Sequence, residues 1–237
     1  MVDLVYPPVI AVGHGAFAAL GIKVRVRGGE HLPRSGGAVL ASNHVSYLDF
    51  IFAGYAARPS DRLVRFMAKK SVFDHRIAGP VMRSMKHIPV DRDAGAASYA
   101  HAVEALRAGE VVGVFPEATM SRTLEPKGFK SGAVRMAAEA DVPLIPMALW
   151  GTQRLWCYDR RSSMKQRGVP VEMRVGAPVD SSGDPEVATA RLRAAVIALA
   201  DEARADYPDD GTGQWWHPAR LGGTAPAVDE SITSADD

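Results

Sequence analysis

The chain predicts an α/β fold, with a central, mostly parallel or mixed sheet flanked by helices. Three observations carry that expectation. Short β-branched or apolar runs alternate with helix-patterned segments from residue 23 onward. The 237 residues are enough for one large core, since single cores grow to roughly 250 residues before they split. Hydrophobic content of 47% with a net charge of +1 is that of a globular chain.

The elements read in order as follows. The runs "KVRVRG" and "GAVLAS" read as strands, and a helix is expected from Ser46 to about Ala57. "LVRFMA" and "HIPV" read as further strands. Between Ala94 and Ala108, Tyr99, Val103 and Leu106 share one helical face, and Gly109 stops the helix before the apolar run "VVGVF". "GAVRMAAEA" follows as a helix, "VPLIPMALW" as a buried strand, and "VEMRVG" as an edge or final strand. A last amphipathic helix runs from about Pro185 to Ala205, with Val187, Leu192, Val196 and Leu199 among its apolar positions. Proline near several strand ends leaves room for mixed connections.

This order divides the chain into an apolar N-terminal helix (residues 1–22), an α/β domain (23–206) and a polar, flexible tail (207–237). The stretch "PPVIAVGHGAFAALGI" is interrupted by His14 and glycines and, as a helix from Val9, spans only about 20 Å, short of the roughly 30 Å of a bilayer core. It reads either as a core-packing helix or as a membrane-interface anchor. It lacks the preceding basic region of a signal peptide. In the tail, "QWWHP" departs from the low hydrophobicity around it, so Trp215 and Trp216 either pack back on the domain or sit among lipid headgroups.

Composition also excludes function classes. Balanced charge argues against a nucleic-acid partner. The single Cys157 rules out an internal disulfide framework and any zinc site needing two thiolates, and fits a reducing compartment, the cytoplasm. No Gly-rich nucleotide loop of standard spacing occurs.

The most suggestive pairing is in "NHVSYLD", where His44 and Asp49 follow the strand "GAVLAS". Imidazole takes up a proton near neutral pH, and a neighbouring carboxylate fixes its tautomer and stabilises its charged form. Residues five apart on a helix point about 140° apart, so His44 must precede the helix for the two to meet. Ser46 with Asp49 fits a capping box, which places Asp49 in the first turn and His44 in the entering loop. Two readings stand on these residues alone: a catalytic couple, or a carboxylate that only caps a helix.

The run "VVGVFPEATMSR" places Glu117 at the carboxyl end of a strand, the sheet edge at which open α/β folds bind ligands. Between the two motifs lies a basic region that includes Arg62, Arg65, Lys69, Lys70, Arg76, Arg83, Lys86 and Arg92. Most such charges form solvated faces, but Arg92 follows "HIPV", and Lys127 and Lys130 follow the Glu117 loop. Cations gathered at one sheet edge make a phosphate site.

Taken together and in this order, the segments resemble the glycerolipid acyltransferase family that includes the bacterial 1-acylglycerol-3-phosphate acyltransferases. "NHVSYLD" matches the family's Asn-His-x-x-x-x-Asp signature, "MAKKSVF" its Ala-Lys segment, "HIPVDR" the block ending in Arg92, "FPEATMSR" the Phe-Pro-Glu-Gly-Thr-Arg-Ser block, and "VPLIPMAL" the Val-Pro-Ile-Val-Pro block. The similarity covers roughly residues 36 to 150. It implies transfer of a fatty acyl group from a thioester of coenzyme A or acyl carrier protein to a hydroxyl of lysophosphatidic acid or a related glycerol phosphate, forming phosphatidic acid. By the same resemblance His44 is the general base and Asp49 orients it. Arg92 binds phosphate with Lys69 and Lys130 in support, and Glu117 organises the acceptor head or its loop. No cofactor or metal is required, because the substrate supplies the nucleophile.

The chain departs from the family pattern at Ala118, where the family has Gly, and at Met120, where it has Arg. Arg122 is the nearby candidate to replace the lost cation. The block before Arg92 also lacks its usual glycine. Two alternatives follow: an enzyme remodelling lysophospholipids with another head group or moving acyl chains between lipids, and a non-catalytic lipid-binding protein. Thioester hydrolysis is disfavoured by the lack of a Gly-x-Ser-x-Gly elbow. Lipid substrates imply a membrane surface as partner, with peripheral or monotopic attachment at its cytoplasmic face.

Overall fold

A computed structural model of the protein describes residues 6–91, 95–158 and 166–227. Helix α1 (Tyr6–Ala19) leads into β1 (Lys23–Arg27), followed by β2 (Ala38–Ser42), α2 (Asp49–Ala56), β3 (Val64–Lys69), α3 (Lys70–Asp74), α4 (Ala78–Ser84), β4 (Ile88–Val90), α5 (Gly95–Arg107) and β5 (Val111–Val114). The chain continues through α6 (Gly132–Ala140), β6 (Leu144–Trp150), β7 (Pro170–Val175) and α7 (Pro185–Ala205). The seven strands form one sheet in the order β1-β7-β6-β2-β5-β3-β4. Only the β6–β7 pairing is antiparallel. The expected mixed, mostly parallel sheet is therefore present, and β7 is its last strand in sequence but lies inside it, between β1 and β6.

The period of two along the strands explains the three layers. Leu40, Ile145, Met147 and Leu149 face a core shared with Phe52 and Ala53 of α2. Val39, Ala41, Val112 and Val114 face the opposite core, filled by Val103 and Leu106 of α5, Val134 and Met136 of α6, and Leu192 and Val196 of α7. All five residues of β2 are buried, as a strand covered by helices on both faces requires.

Both ends of the described residues pack on this unit. In α1 the Tyr6 hydroxyl donates to the Val64 carbonyl at 2.6 Å and Phe17 stacks on Phe52 at 4.6 Å, while Val12 is 74% exposed. Residues 207–227, expected to be flexible, instead contribute a third core: Trp216 and Ala225 are buried with Val45, Leu124, Trp150 and Ala203, and Tyr207 and Trp215 pack against them. A few large rings bury enough area to hold a segment whose average composition is polar. Residues 228–237 lie outside the described residues.

Gly113 on β5 shows how tight the central sheet is. A Cβ there would lie 2.4 Å from the Phe66 ring and 2.7 Å from Val64 Cγ1. Gly113→Ala is expected to lower the unfolding free energy by about 1–3 kcal/mol through overpacking, read as a lower urea midpoint at unchanged slope.

Candidate active site

Strands β2, β5 and β6 are adjacent and parallel, so their carboxyl ends open onto one edge of the sheet. His44 follows β2, Glu117 follows β5, and Thr152 follows β6. The fold thereby gathers residues distant in sequence around one loop, 43–48.

That loop is held from both sides. Asn43 is buried, accepts a hydrogen bond from the Leu149 amide at 2.8 Å and donates to the Leu149 carbonyl at 3.1 Å, so its side chain pairs with β6 as a strand residue would. From the β5 side, Glu117 Oε1 accepts the His44 amide at 2.9 Å, and the Ser121 amide donates to the His44 carbonyl at 2.8 Å. Phe115 stacks on the His44 ring with centroids 4.3 Å apart, backed in turn by Phe66.

Asp49 is fully buried and accepts four donors. Its Oδ2 receives the amides of Val45 and Ser46, each at 2.7 Å, and lies 2.9 Å from His44 Nδ1. Its Oδ1 receives the Thr152 hydroxyl at 2.6 Å. A carboxylate only accepts, so Nδ1 carries the ring proton and Nε2 keeps its lone pair. The His44 side chain is 22% exposed, so this base reaches the sheet edge.

The capping-box expectation needs correction. Helix α2 starts at Asp49 rather than Ser46, its N-cap is Leu48, and no side chain caps it. Asp49 accepts the Ser46 amide as the acidic half of such a box would, but the Ser46 hydroxyl donates to the Trp156 carbonyl at 2.6 Å and accepts the Leu48 amide at 3.1 Å instead of the Asp49 amide, so only half of the box is made. One carboxylate thus orders the loop and orients the imidazole; the two readings of Asp49 merge.

Glu117 is the second buried carboxyl. Its Oε2 accepts the Lys127 amide at 3.1 Å. Burial pushes its pKa from the ordinary 4.5 up to about 8, against the pull of the His44 and Lys127 amides and the Lys127 charge, and Asp49 nearby adds to the rise. The next residue, Ala118, holds φ at 60°, the left-handed region glycine favours. That conformation explains why a glycine suits this turn. Met120 is buried, so no cation at that position faces the edge.

The predicted cations are dispersed. Lys69 ends β3 in register with Val90 of β4, exposed at the same edge, and exposed Lys130 donates its amide to the Pro116 carbonyl at 2.9 Å. Arg122 lies toward β6, its guanidinium 4.0 Å from the Tyr158 ring centroid. Arg92 lies outside the described residues, two positions past the end of β4. Sequence reasoning missed Asn43 and Thr152 as supports. It also missed Arg193 of α7, which donates to the carbonyls of Pro126 and Lys127 and so braces the Glu117 loop. No group of three or more metal-ligating side chains occurs among the described residues.

The raised Glu117 pKa gives a pH prediction. The folded protein keeps a proton that the unfolded chain releases between about pH 4.5 and 8. This contribution to stability is therefore full below pH 4.5 and is lost as pH rises toward 8, by up to ~1.4 kcal/mol per pH unit. In Glu117→Gln that slope is expected to vanish, measured as urea unfolding free energy at pH 5 and pH 8 for both proteins.

Comparisons with known proteins agree with this geometry. The family model described as Acyltransferase matches residues 23–150, which include β1 through β6 and the whole His44 loop. A 1-acyl-sn-glycerol-3-phosphate acyltransferase of Bacillus subtilis is 35% identical over 140 residues, covering 56% of this chain and 68% of that enzyme. One from Limnanthes douglasii is 31% identical over 165 residues, covering 68% of this chain and 56% of the plant protein. In fold, the chain superposes with a TM-score of 0.70 on the crystal structure of PlsC, the 1-acyl-sn-glycerophosphate acyltransferase of Thermotoga maritima, at 24% identity over 86% of this chain and 81% of that one. The strand order, the His44–Asp49 couple at the carboxyl edge and a family match over more than half of the chain lead to one assignment: the chain belongs to the acyltransferase family, as a PlsC-like enzyme.

Proposed function

We propose that the protein transfers a fatty acyl group from an acyl thioester, carried by coenzyme A or acyl carrier protein, to the free hydroxyl of 1-acylglycerol 3-phosphate, yielding phosphatidic acid. The observation that carries this reading is the 2.9 Å contact from Asp49 to His44 Nδ1, which leaves Nε2 as a base at the ligand-binding edge. Nε2 takes the acceptor's hydroxyl proton as its oxygen attacks the thioester carbonyl. The new C–O bond forms, the C–S bond breaks as the tetrahedral intermediate collapses, and the imidazolium returns the proton to the departing sulfur. Asp49 stabilises that imidazolium without taking its proton. The amides of Val45 and Ser46 are engaged by Asp49, so the oxyanion draws on other donors.

Lys69, Lys130 and Arg92 form the acceptor's phosphate subsite in this reading. Lys69 ends β3 and Lys130 follows the Glu117 loop, both exposed, so a phosphate monoester there gains charge-assisted contacts, and Arg92, which lies outside the described residues, joins them in this reading from its place in the sequence alone. The reaction occurs beside a bilayer, by peripheral attachment at its cytoplasmic face. Exposed Tyr47 and Trp156, paired at 5.1 Å beside the His44 loop, and exposed Val72, Ile77 and Val81 around α3 and α4 support this attachment, as does the outward side of α1. No helix among the described residues is long and apolar enough to cross a membrane.

His44→Ala is expected to abolish acceptor-dependent thiol release while leaving the thermal midpoint near that of the parent. Asp49→Asn should cut turnover at least about a hundredfold and lower stability by about 1–3 kcal/mol through unpaired donors. Thiol release without a new lipid product, resolved by mass analysis, would sink the acyltransfer reading. For the membrane, Val12→Asp and Ile77→Asp should each weaken binding to anionic vesicles by about tenfold, equivalent to ~1.4 kcal/mol. Unchanged sedimentation of both variants with vesicles would exclude attachment through these faces.

A further inference from the structure

The turn after β6 meets the His44 loop at three points. The Thr152 hydroxyl donates to Asp49 Oδ1 at 2.6 Å, and the Trp156 carbonyl accepts the Tyr47 amide at 3.2 Å and the Ser46 hydroxyl at 2.6 Å. The turn itself is closely fixed. Gly151 opens it at φ 100°, where a Cβ would lie 2.1 Å from the Pro170 carbonyl oxygen. The buried Gln153 side chain accepts the Gly151 amide at 2.8 Å and donates to the Trp216 carbonyl, while the Thr152 carbonyl accepts the amides of Leu155 and Trp156. Thr152 is thus held with its hydroxyl against the carboxylate, and both residues are fully buried. It lies just past residue 150, where the family match ends.

We infer that Thr152 is a positioning residue of the reaction: its hydroxyl fixes the plane of the Asp49 carboxylate and thereby the aim of His44 Nε2. The inference rests on the general-base reading of His44 above and adds what keeps that base in line. The donors on Asp49 are unevenly divided. Oδ2 serves the Val45 and Ser46 amides and His44 Nδ1, whereas Oδ1 receives Thr152. Bonds to one oxygen anchor a point and leave the carboxylate free to turn about it; a bond to the other oxygen removes that turn. Without the hydroxyl a buried oxygen loses its donor, and the carboxylate gains by swinging Oδ1 toward the donors of the loop. His44 follows, because Nδ1 is bound to the same group at 2.9 Å. The stacked Phe115 ring holds the plane of the imidazole but not its rotation within that plane, so direction comes from Asp49. Proton transfer from the acceptor needs heavy atoms within about 2.6–3.2 Å, and a small rotation of the ring carries Nε2 out of that range.

The test compares Thr152→Val, which nearly keeps the side chain's shape and removes the hydroxyl, with Thr152→Ser, which keeps the hydroxyl. Each is assayed well below its thermal midpoint with 1-acylglycerol 3-phosphate and whichever of acyl-coenzyme A and acyl carrier protein thioester the parent uses. Thr152→Val should lower kcat at least about tenfold with both KM values within about twofold of the parent, and Thr152→Ser should return kcat to within about threefold. The second readout is the far-downfield proton resonance of the His44 Nδ1–H, assigned by its loss in His44→Ala. It should shift or broaden in Thr152→Val and return in Thr152→Ser. Parent-like kcat in Thr152→Val with only a lowered thermal midpoint overturns the inference, because the hydroxyl then serves stability alone. An unmoved resonance overturns it too, as does a kcat in Thr152→Ser as low as in Thr152→Val. If Thr152→Val does not fold, Thr152→Ala takes its place with the same expected loss and the same resonance. If the parent transfers no acyl group with either donor, the acyl-transfer reading fails, and the resonance alone decides whether Thr152 positions His44.

Discussion

The buried carboxylate of Asp49 is the constraint on which the rest of the edge depends. A fully buried charge is tolerable only when its lone pairs are occupied, and here four donors from two parts of the chain converge on two oxygens: two amides and the imidazole of the loop, and a hydroxyl 103 residues away. The loop cannot move without exposing that charge to unpaired burial. Holding the imidazole still is thus a by-product of satisfying the carboxylate, and orientation of the base comes with the folding of the loop.

Around this centre the parallel sheet supplies geometry that no local pattern contains. Strands β2, β5 and β6 lie side by side although β6 starts over a hundred residues after β2, so their following loops meet. Glu117 clips the loop from one side and Asn43 ties it to the other. The two buried carboxyls have different environments. Asp49 is saturated with donors, whereas Glu117, pushed up to about 8 chiefly by burial, keeps its proton near neutrality. A site built this way avoids two adjacent negative charges behind one imidazole.

Much of this was legible in the sequence. The alternation of strand and helix patterns located every strand: burial on both faces gives continuous apolar runs such as "AVLAS", and the outer strand "KVRVR" shows by its alternation. His44, Asp49 and Glu117 stood out because ionisable residues after strand ends are chemically expressive. Thr152 and Asn43 did not, since a threonine and an asparagine after a strand look like ordinary turn residues until the third dimension sets them beside their partners. The helix start was misjudged for a related reason: Ser46 has the right identity for a cap, but its hydroxyl oxygen accepts the Leu48 amide two residues on, and the helix begins only at Asp49. In the C-terminal stretch the polar average suggested flexibility, whereas Trp215 and Trp216 offered packing on the domain, and the packing prevails.

The docking of that stretch has a consequence for how the molecule comes into being. Gln153 donates to the Trp216 carbonyl at 3.1 Å, and Arg154 packs 4.6 Å from the Trp216 ring, on the same short turn whose Thr152 hydroxyl reaches Asp49. The turn that seats the Asp49 carboxylate is therefore finished by residues synthesised some sixty positions later. On the ribosome, His44 and Asp49 emerge before Thr152, Gln153 and Trp216, so the contacts that brace them form only after Trp216 has cleared the exit tunnel. The His44 loop is thus encoded early and braced late, so its geometry waits on a segment far along the chain.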